Sequence, residues 1–461
     1  MINKLVLLTS IVLCIPLSLY AHDFEVDGIY YNIIDSDSYA VEVTHKGEDY
    51  NSFDNEYTGR IIIPSSVIYN NTEYQVIAVG ASAFERCIDM TDVNLPNSIL
   101  SIKEDAFYLC RNLQSITIPE GTESIGNHAF QDCKSLSTVN ISRSVTHIGN
   151  FAFGYCDALT SIFLPNSITS WGQEIFYHCE QLHTVTLEDG ITAIGAYAFQ
   201  DCKSLKSITL PNSITTIGEG AFYGCSSLES IDLPNITSIE DETFTFCTSL
   251  RTIDIPVYLK SIGKRAFESC TTLTCIVLPD SLTSLGNSAF AYCENLASVD
   301  CGNNILYIGE SAFYKCILDS ISIPSNVTDI GNYAFYCSTI KAINCEAKIP
   351  PTINLYTFYD YNARLYVPND CIDLYRKKKY WKDFTNISAS SNYNIIKDNI
   401  SIKVINNQLE ISGIKDSYII TIYNTDGTLL HSKTAKQIAG ITLPRGIYIV
   451  QVNGTTRKVA I

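Results

Sequence analysis

A phenylalanine returns at nearly constant spacing through the middle of this chain, at positions 84, 107, 130, 153, 176, 199, 222, 244, 267, 290, 313, 335 and 358. Of the twelve intervals, ten are 23 residues and two are 22. Ala precedes most of these phenylalanines. Cys follows three residues later at 87, 110, 133, 156, 179, 202, 225, 247, 270, 293 and 316, and two residues later at 337. An apolar residue, usually Leu, comes next (Leu113, Leu136, Leu159, Leu182, Leu205). An alternating pair follows, such as Ile116/Ile118, Ile208/Leu210 or Ile231/Leu233, often closed by Pro. The unit ends in Ile-Gly, as at Ile125-Gly126, Ile148-Gly149, Ile194-Gly195 and Ile217-Gly218. Self-similarity at such a period is the mark of a solenoid.

The unit has a physical reading. Ala-Phe-x-x-Cys places three apolar groups on one face of a short helical turn. L-x-x-I-x-L alternates with period two, so it predicts a short strand with one face buried. Pro stops the strand because its nitrogen cannot donate. Gly is expected to supply the tight turn into the next Ala-Phe. No unit can bury its apolar side alone, whereas stacked units bury a continuous column. At about 4.8 Å per strand, twelve to thirteen coils extend on the order of 60 Å.

The pattern L-x-x-I-x-L-P-x-S-I-T-x-I-G-x-x-A-F-x-x-C resembles the BspA-like leucine-rich repeat of bacterial surface proteins. Residues 205–225 are close to an ideal copy. Degenerate copies occur: Lys103 and Glu240 replace the Gly, and Cys301 and Cys345 replace a strand Leu. The resemblance implies a leucine-rich-repeat solenoid with a β-rich cap before the repeats. It also implies a secreted or outer-surface protein that adheres to host proteins or to other cells.

Five segments are expected. Residues 1–21 read as a signal peptide, with Lys4, an apolar run from Leu5 and a small Ala21 before the cut. A lipoprotein signal on Cys14 is the alternative, but Leu13 stands where a small residue is wanted. Residues 22–74 are strand-like and form the N-terminal cap. Residues 75–345 are the repeats. Residues 346–390 close the array, with a strand at Arg364 to Pro368 and a helix from Cys371 to Phe384. Residues 391–461 read as short strands joined by Asp426-Gly427 and Asn453-Gly454 turns, a small antiparallel sandwich. Ile422-Tyr423-Asn424-Thr425-Asp426-Gly427 and Leu443-Pro444-Arg445-Gly446-Ile447-Tyr448, followed by Lys458-Val459, resemble the type A C-terminal sorting domain of the type IX secretion system. The chain departs from that pattern by ending Ala460-Ile461 without a basic residue; a plain accessory sandwich is the alternative.

Charge excludes one partner class. The net charge is −17, and it divides into −23 over residues 1–345 and +6 over residues 346–461. An acidic solenoid does not replace phosphate counterions, so nucleic acid is not expected. No stretch after the leader is long and apolar enough for a transmembrane helix. Of 17 cysteines, one lies in the leader, 12 form the repeat column and four lie elsewhere. Equivalent Cβ atoms one coil apart sit about 4.8 Å from each other, wider than the roughly 3.8 Å of a disulfide. Buried free thiols donating weakly to turn carbonyls are therefore expected. Neither metal nor cofactor is implied. The chain has no G-x-S-x-G, H-E-x-x-H or phosphate-binding loop, and its seven His share no repeat column. A hydrolase using an unrecognised carboxylate pair is a remote alternative. Arg376-Lys377-Lys378-Lys379 reads as the wet face of the closing helix.

Binding is the better reading. Residues flanking the first buried Ile or Val of each strand should point outward: Ser115/Thr117, Thr138/Asn140, Ser161/Phe163, Thr184/Thr186, Ser207/Thr209, Ser230/Asp232 and Thr252/Asp254. Asp92/Asn94, Ser298/Asp300 and Ser320/Ser322 extend the row. Stacked, they form a hydroxyl-rich sheet for a protein partner such as a host matrix or cell-surface protein. Ser and Thr can equally reflect strand propensity and solubility, with function then at loops or ends. Glycan capture is the alternative, and would favour aromatics clustered over that sheet; Phe163 alone lies there, although the chain has 29 Tyr.

Overall fold

In a computed structural model, the described residues are 22–47, 55–390 and the strand segments 401–405, 408–412, 418–424, 429–435, 438–442, 447–452 and 455–460. The proposed leader and the Asp426-Gly427 and Asn453-Gly454 turns lie outside them. About 14 coils stack into a solenoid, slightly more than the phenylalanine count predicts. Each regular coil carries two short parallel strands. The first is the expected one, for example Ser115–Thr117 paired with Thr138–Asn140. The second is the two-residue segment before the Gly: Ser124–Ile125 pairs with Ser101–Ile102 on one side and His147–Ile148 on the other. Pairing one repeat apart keeps equivalent side chains in register, so every column of the sequence becomes a column in space.

Two columns fill the core. Phe84 to Phe358 form one unbroken stack, with centroids 5.0–5.7 Å apart and planes within 14° of parallel. Centroid separations wider than the strand spacing give the offset overlap that aromatic quadrupoles favour. Beside it runs the cysteine column, whose members are free and buried. From Cys110 to Cys337 each thiol donates to the carbonyl of the preceding coil's phenylalanine, at 2.9–3.4 Å. Leu, Ile and Val complete one continuous core from Phe24 to Phe384.

The expected helical turn in each coil does not form. The Ala-Phe-x-x-Cys segments are successive tight turns instead. Their amides donate across coils, as Phe107 N to Ala129 O at 2.8 Å and Leu109 N to Gln131 O at 2.9 Å. A helix would need those amides for bonds within the segment. Left-handed residues such as Asp105 (φ 55°) and Leu109 (φ 62°) also break any helical run. The repeat Gly differs from expectation as well. Gly126 has no positive φ, but a Cβ there would lie 2.5 Å from Glu104 N and 2.6 Å from Lys103 C. Close passage of neighbouring backbones, rather than turn geometry, requires it. A further ladder was not anticipated: the Ser of Pro-x-Ser donates to a carbonyl of the previous coil, as Ser167 to Val145 O and Ser213 to Ile191 O, both 2.7 Å.

At the first end, antiparallel strands Phe24–Val26, Ile29–Asp35 and Ala40–Thr44 continue into Thr72–Val79, which pairs with Ser101–Ile102. At the other end, Arg364–Val367 and Asn386–Ala389 add two parallel strands. The closing helix is shorter than expected, spanning Ile372–Lys377, with a separate 3-10 turn at Trp381–Asp383. Tyr380, at φ 67°, separates them. Buried Tyr375 and Trp381 seal the end, donating to Ala347 O at 2.6 Å and Pro351 O at 2.7 Å. Arg376 to Lys379 are exposed. Beyond residue 400, strands form a three-stranded and a four-stranded antiparallel sheet.

The two ladders are not equally continuous. The second ladder lapses after Ser170–Trp171 and again after Thr216–Ile217, and the first lapses more often, after Met90–Asn94, Thr138–Asn140, Thr184–Leu187 and Ser298–Asp300. Both are open between the coils of Phe222 and Phe244, where the repeat is one residue short. There Ile236 N bonds Pro234 O at 2.7 Å, instead of reaching three residues back as Ile214 N does to Pro211 O. Turn-side bonds such as Phe222 N to Thr243 O at 3.0 Å still join those coils.

Two stability measurements follow from this packing. Gly126→Ala should cost about 1–3 kcal/mol, whereas Gly154→Ala, whose Cβ would meet Phe151 at 3.4 Å, should be neutral or slightly stabilising; denaturant melts compare them. Burial raises column thiols such as Cys293 and Cys337, each to about 12. An unfolded thiol ionises near about 8.5, so their contribution is whole below that pH and is lost as pH climbs toward about 12. The melting temperature should therefore fall steeply above about pH 9, with a shallower fall in a variant carrying Cys→Ala at several column positions.

Candidate functional site

The strand face is built by alternation. Within Ser161–Leu164 and Thr184–Leu187, Ile162, Leu164, Val185 and Leu187 turn inward while Ser161, Phe163, Thr184 and Thr186 are exposed. Pairing sets Ser161 beside Thr184 and Phe163 beside Thr186. Likewise Thr138 lies beside Ser115 and Asn140 beside Thr117, and Asn140 Nδ2 donates to Thr117 Oγ1 at 3.4 Å. Ser207, Thr209, Ser230 and Asp232 are also exposed. Thr252 departs from the expected exposure: it is buried, and Asp254 is half-buried. Farther along, Ser298 is buried too, and the last C-terminal strand, Thr455–Ala460, lies against Ser298–Asp300. The open part of the face therefore runs from the coil of Ser115 to that of Asp232.

Within that part the first ladder is open at more than one junction, Thr138–Asn140 to Ser161–Leu164 included, and a recess lies over the seam that follows Thr184–Leu187. Residues 207–210 do not pair with Thr184–Leu187, although Ala193–Ile194 and Thr216–Ile217 keep the same two coils joined. A strand edge left unpaired exposes backbone donors and acceptors. A groove of about 730 Å³ lies over the seam. Thr184, Thr186, Ser207 and Thr209 line it, with His183, Asp189 and Asn212 around them and Val185, Leu187, Ile208 and Leu210 beneath. Four of the outward residues expected from sequence thus converge on one recess.

Beside the groove stands a group that strand alternation alone does not reveal. Arg143 pairs with Glu188 at 2.8 Å, and its guanidinium lies 5.9 Å from the centre of the exposed Phe163 ring. Glu188 also accepts from Asn166 N at 2.9 Å. That amide first, and then Arg143, hold the Glu188 carboxyl below its ordinary range. The pair is solvated and screened, so it positions Phe163 more than it stabilises the fold. The signal for it in the sequence is Glu188, which occupies the place where most coils carry Pro. A second, polar recess of about 520 Å³ near the closing end is lined by Asp319, Lys341, Asp360 and Arg364; Lys341 and Asp319 already pair at 3.0 Å. Among the described residues, no three His, Cys, Asp or Glu side chains converge in a metal-like group.

A hydroxyl-lined face over stacked parallel strands, repeated coil after coil, defines a leucine-rich-repeat solenoid. The model of the BspA type leucine rich repeat region matches residues 77–193, 172–297 and 260–377. The chain belongs to that family. It is similar to a leucine rich cell surface protein of Faecalibacterium prausnitzii A2-165, at 26% identity over 80% of this chain and 96% of the other, with a TM-score of 0.50. It is also similar to a leucine-rich repeat protein of Bacteroides ovatus ATCC 8483, at 26% identity over 80% of this chain and 100% of the other, with a TM-score of 0.55. Comparison with curated proteins gives no match. Among the described residues, no helix is long and apolar enough to cross a membrane.

Proposed function

We propose that this chain is a secreted or outer-surface protein that binds a protein partner on the strand face and serves adhesion to host proteins or other cells. The groove over the unpaired seam carries this reading. Its lips offer backbone N–H and C=O groups beside hydroxyls, which is the chemistry that accepts an extended segment by strand addition. Exposed Phe163, backed by Arg143, supplies an apolar anchor next to it. Family membership and similarity to a cell surface protein support display at the surface. The scaffold is read as non-catalytic, and the strands beyond residue 400 as the sorting domain that directs export.

A binding screen of the mature protein against host matrix proteins tests the first part. A partner should lose at least tenfold in affinity to a Thr184→Arg/Thr209→Arg variant, which crowds both lips, while thermal stability stays within a few degrees. A partner that binds this variant normally would place recognition elsewhere. Export is tested separately: deletion of residues 395–461 should leave the protein periplasmic, and undiminished surface display would refute a sorting role.

A further inference from the structure

The turn side of the last coils carries a row of tyrosines away from the strand face. Tyr292 and then Tyr314, Tyr336 and Tyr359 follow successive core phenylalanines by two or one residues, while Tyr333 and Tyr356 precede theirs by two. Their rings touch in sequence. Tyr292–Tyr314 centroids are 5.4 Å apart, Tyr314–Tyr336 6.0 Å and Tyr336–Tyr359 5.1 Å. Tyr333 meets Tyr336 at 5.3 Å and stacks on Tyr356 at 5.4 Å and 7°. Tyr356 and Tyr359 are 48% and 53% exposed, and Tyr292 37%. None of the six hydroxyls bonds to a described residue. Elsewhere the chain uses tyrosine hydroxyls structurally: Tyr57 donates to Thr44 O and Tyr375 to Ala347 O.

We propose that this tyrosine ladder is a binding platform for a linear polysaccharide. A pyranose offers an apolar C–H face and a rim of hydroxyls. The ladder offers the complement, exposed aromatic surface on Tyr292, Tyr356 and Tyr359 and phenol groups to exchange hydrogen bonds. The row follows the array axis and advances one ring per coil, which suits an extended, repeating ligand. Each ring is held by its neighbours, so little side-chain entropy is lost on binding. Lys315, 5.3 Å from the Tyr292 ring centre and 5.7 Å from that of Tyr314, is held against the rings. A ridge of this form lacks the enclosed, desolvated pocket in which protein hot spots concentrate. The strand-face reading does not depend on it.

Affinity electrophoresis of the full mature protein in gels containing soluble β-glucan, xylan or mannan tests the ladder. Retardation is expected with at least one of them. Tyr292→Ala/Tyr356→Ala/Tyr359→Ala should weaken it at least tenfold, and Tyr356→Phe/Tyr359→Phe, which keeps the rings, should weaken it less. Thr184→Arg/Thr209→Arg should leave it unchanged. If the alanine variant melts early, the phenylalanine pair decides, and its full retention of wild-type affinity would deny the hydroxyls their role and overturn the proposal. No retardation by any of the three polymers, retardation indifferent to the alanine changes, or loss of a protein partner in their place would also overturn it.

Discussion

Everything in this molecule depends on contact between equivalent positions one coil apart. Within the repeats, cross-coil backbone bonds on the turn side, strand pairs, the phenylalanine stack and the thiol-to-carbonyl bonds connect residue i to a residue 21 to 26 positions away. One spacing satisfies all of them together. A side chain that fits its own coil but not the next is therefore excluded, and the Gly column is the clearest case: backbones pass so closely that a methyl group has no room. Stability is then a sum over neighbouring interfaces rather than the property of one central core.

The same arrangement separates structural duty from recognition. Inward columns are occupied by Phe, Cys, Leu and Ile, and their thiols and carbonyls satisfy one another. Outward columns are free to vary, and two of them vary to effect. The strand face is polar and broken by a groove, whereas the turn side near the closing end is aromatic. The scaffold thus presents two surfaces of different chemistry, far enough apart along the chain to be altered independently.

Repetition made the fold legible in the sequence. Thirteen phenylalanines in register fixed the coil length, the buried columns and the first strand, and the mismatch of Cβ spacing to disulfide geometry anticipated thiols bonded to carbonyls. The local reading of Ala-Phe-x-x-Cys as helical was incorrect because a short apolar cluster fits one face of a helix or a run of turns equally well; the choice is made by amides bonding to the next coil, which no single repeat encodes. The outward row was also legible, but its interruptions were not. Thr252 and Ser298 obey the alternation that predicts exposure and are nevertheless buried; the last C-terminal strand lies against Ser298, a contact no single repeat encodes. The seam between Thr184–Leu187 and residues 207–210 has no local sequence cause, because both strands follow the repeat closely. The open junction after Phe222 does have one, the residue missing before Ile236.

That missing residue has a mechanical meaning. Elsewhere at least one strand ladder or an unbroken run of them ties the array along its length, so bending there strains hydrogen bonds directly. Between the coils of Phe222 and Phe244 neither ladder is closed, and the link rests on turn-side bonds and on Phe222 stacked over Phe244 at 5.6 Å. Stacked rings slide at little cost compared with breaking paired strands. The solenoid is accordingly two stiffer rods with a compliant joint. The joint lies beyond both lips of the groove, which ride together on one rod, so the recess keeps its shape when the rods flex.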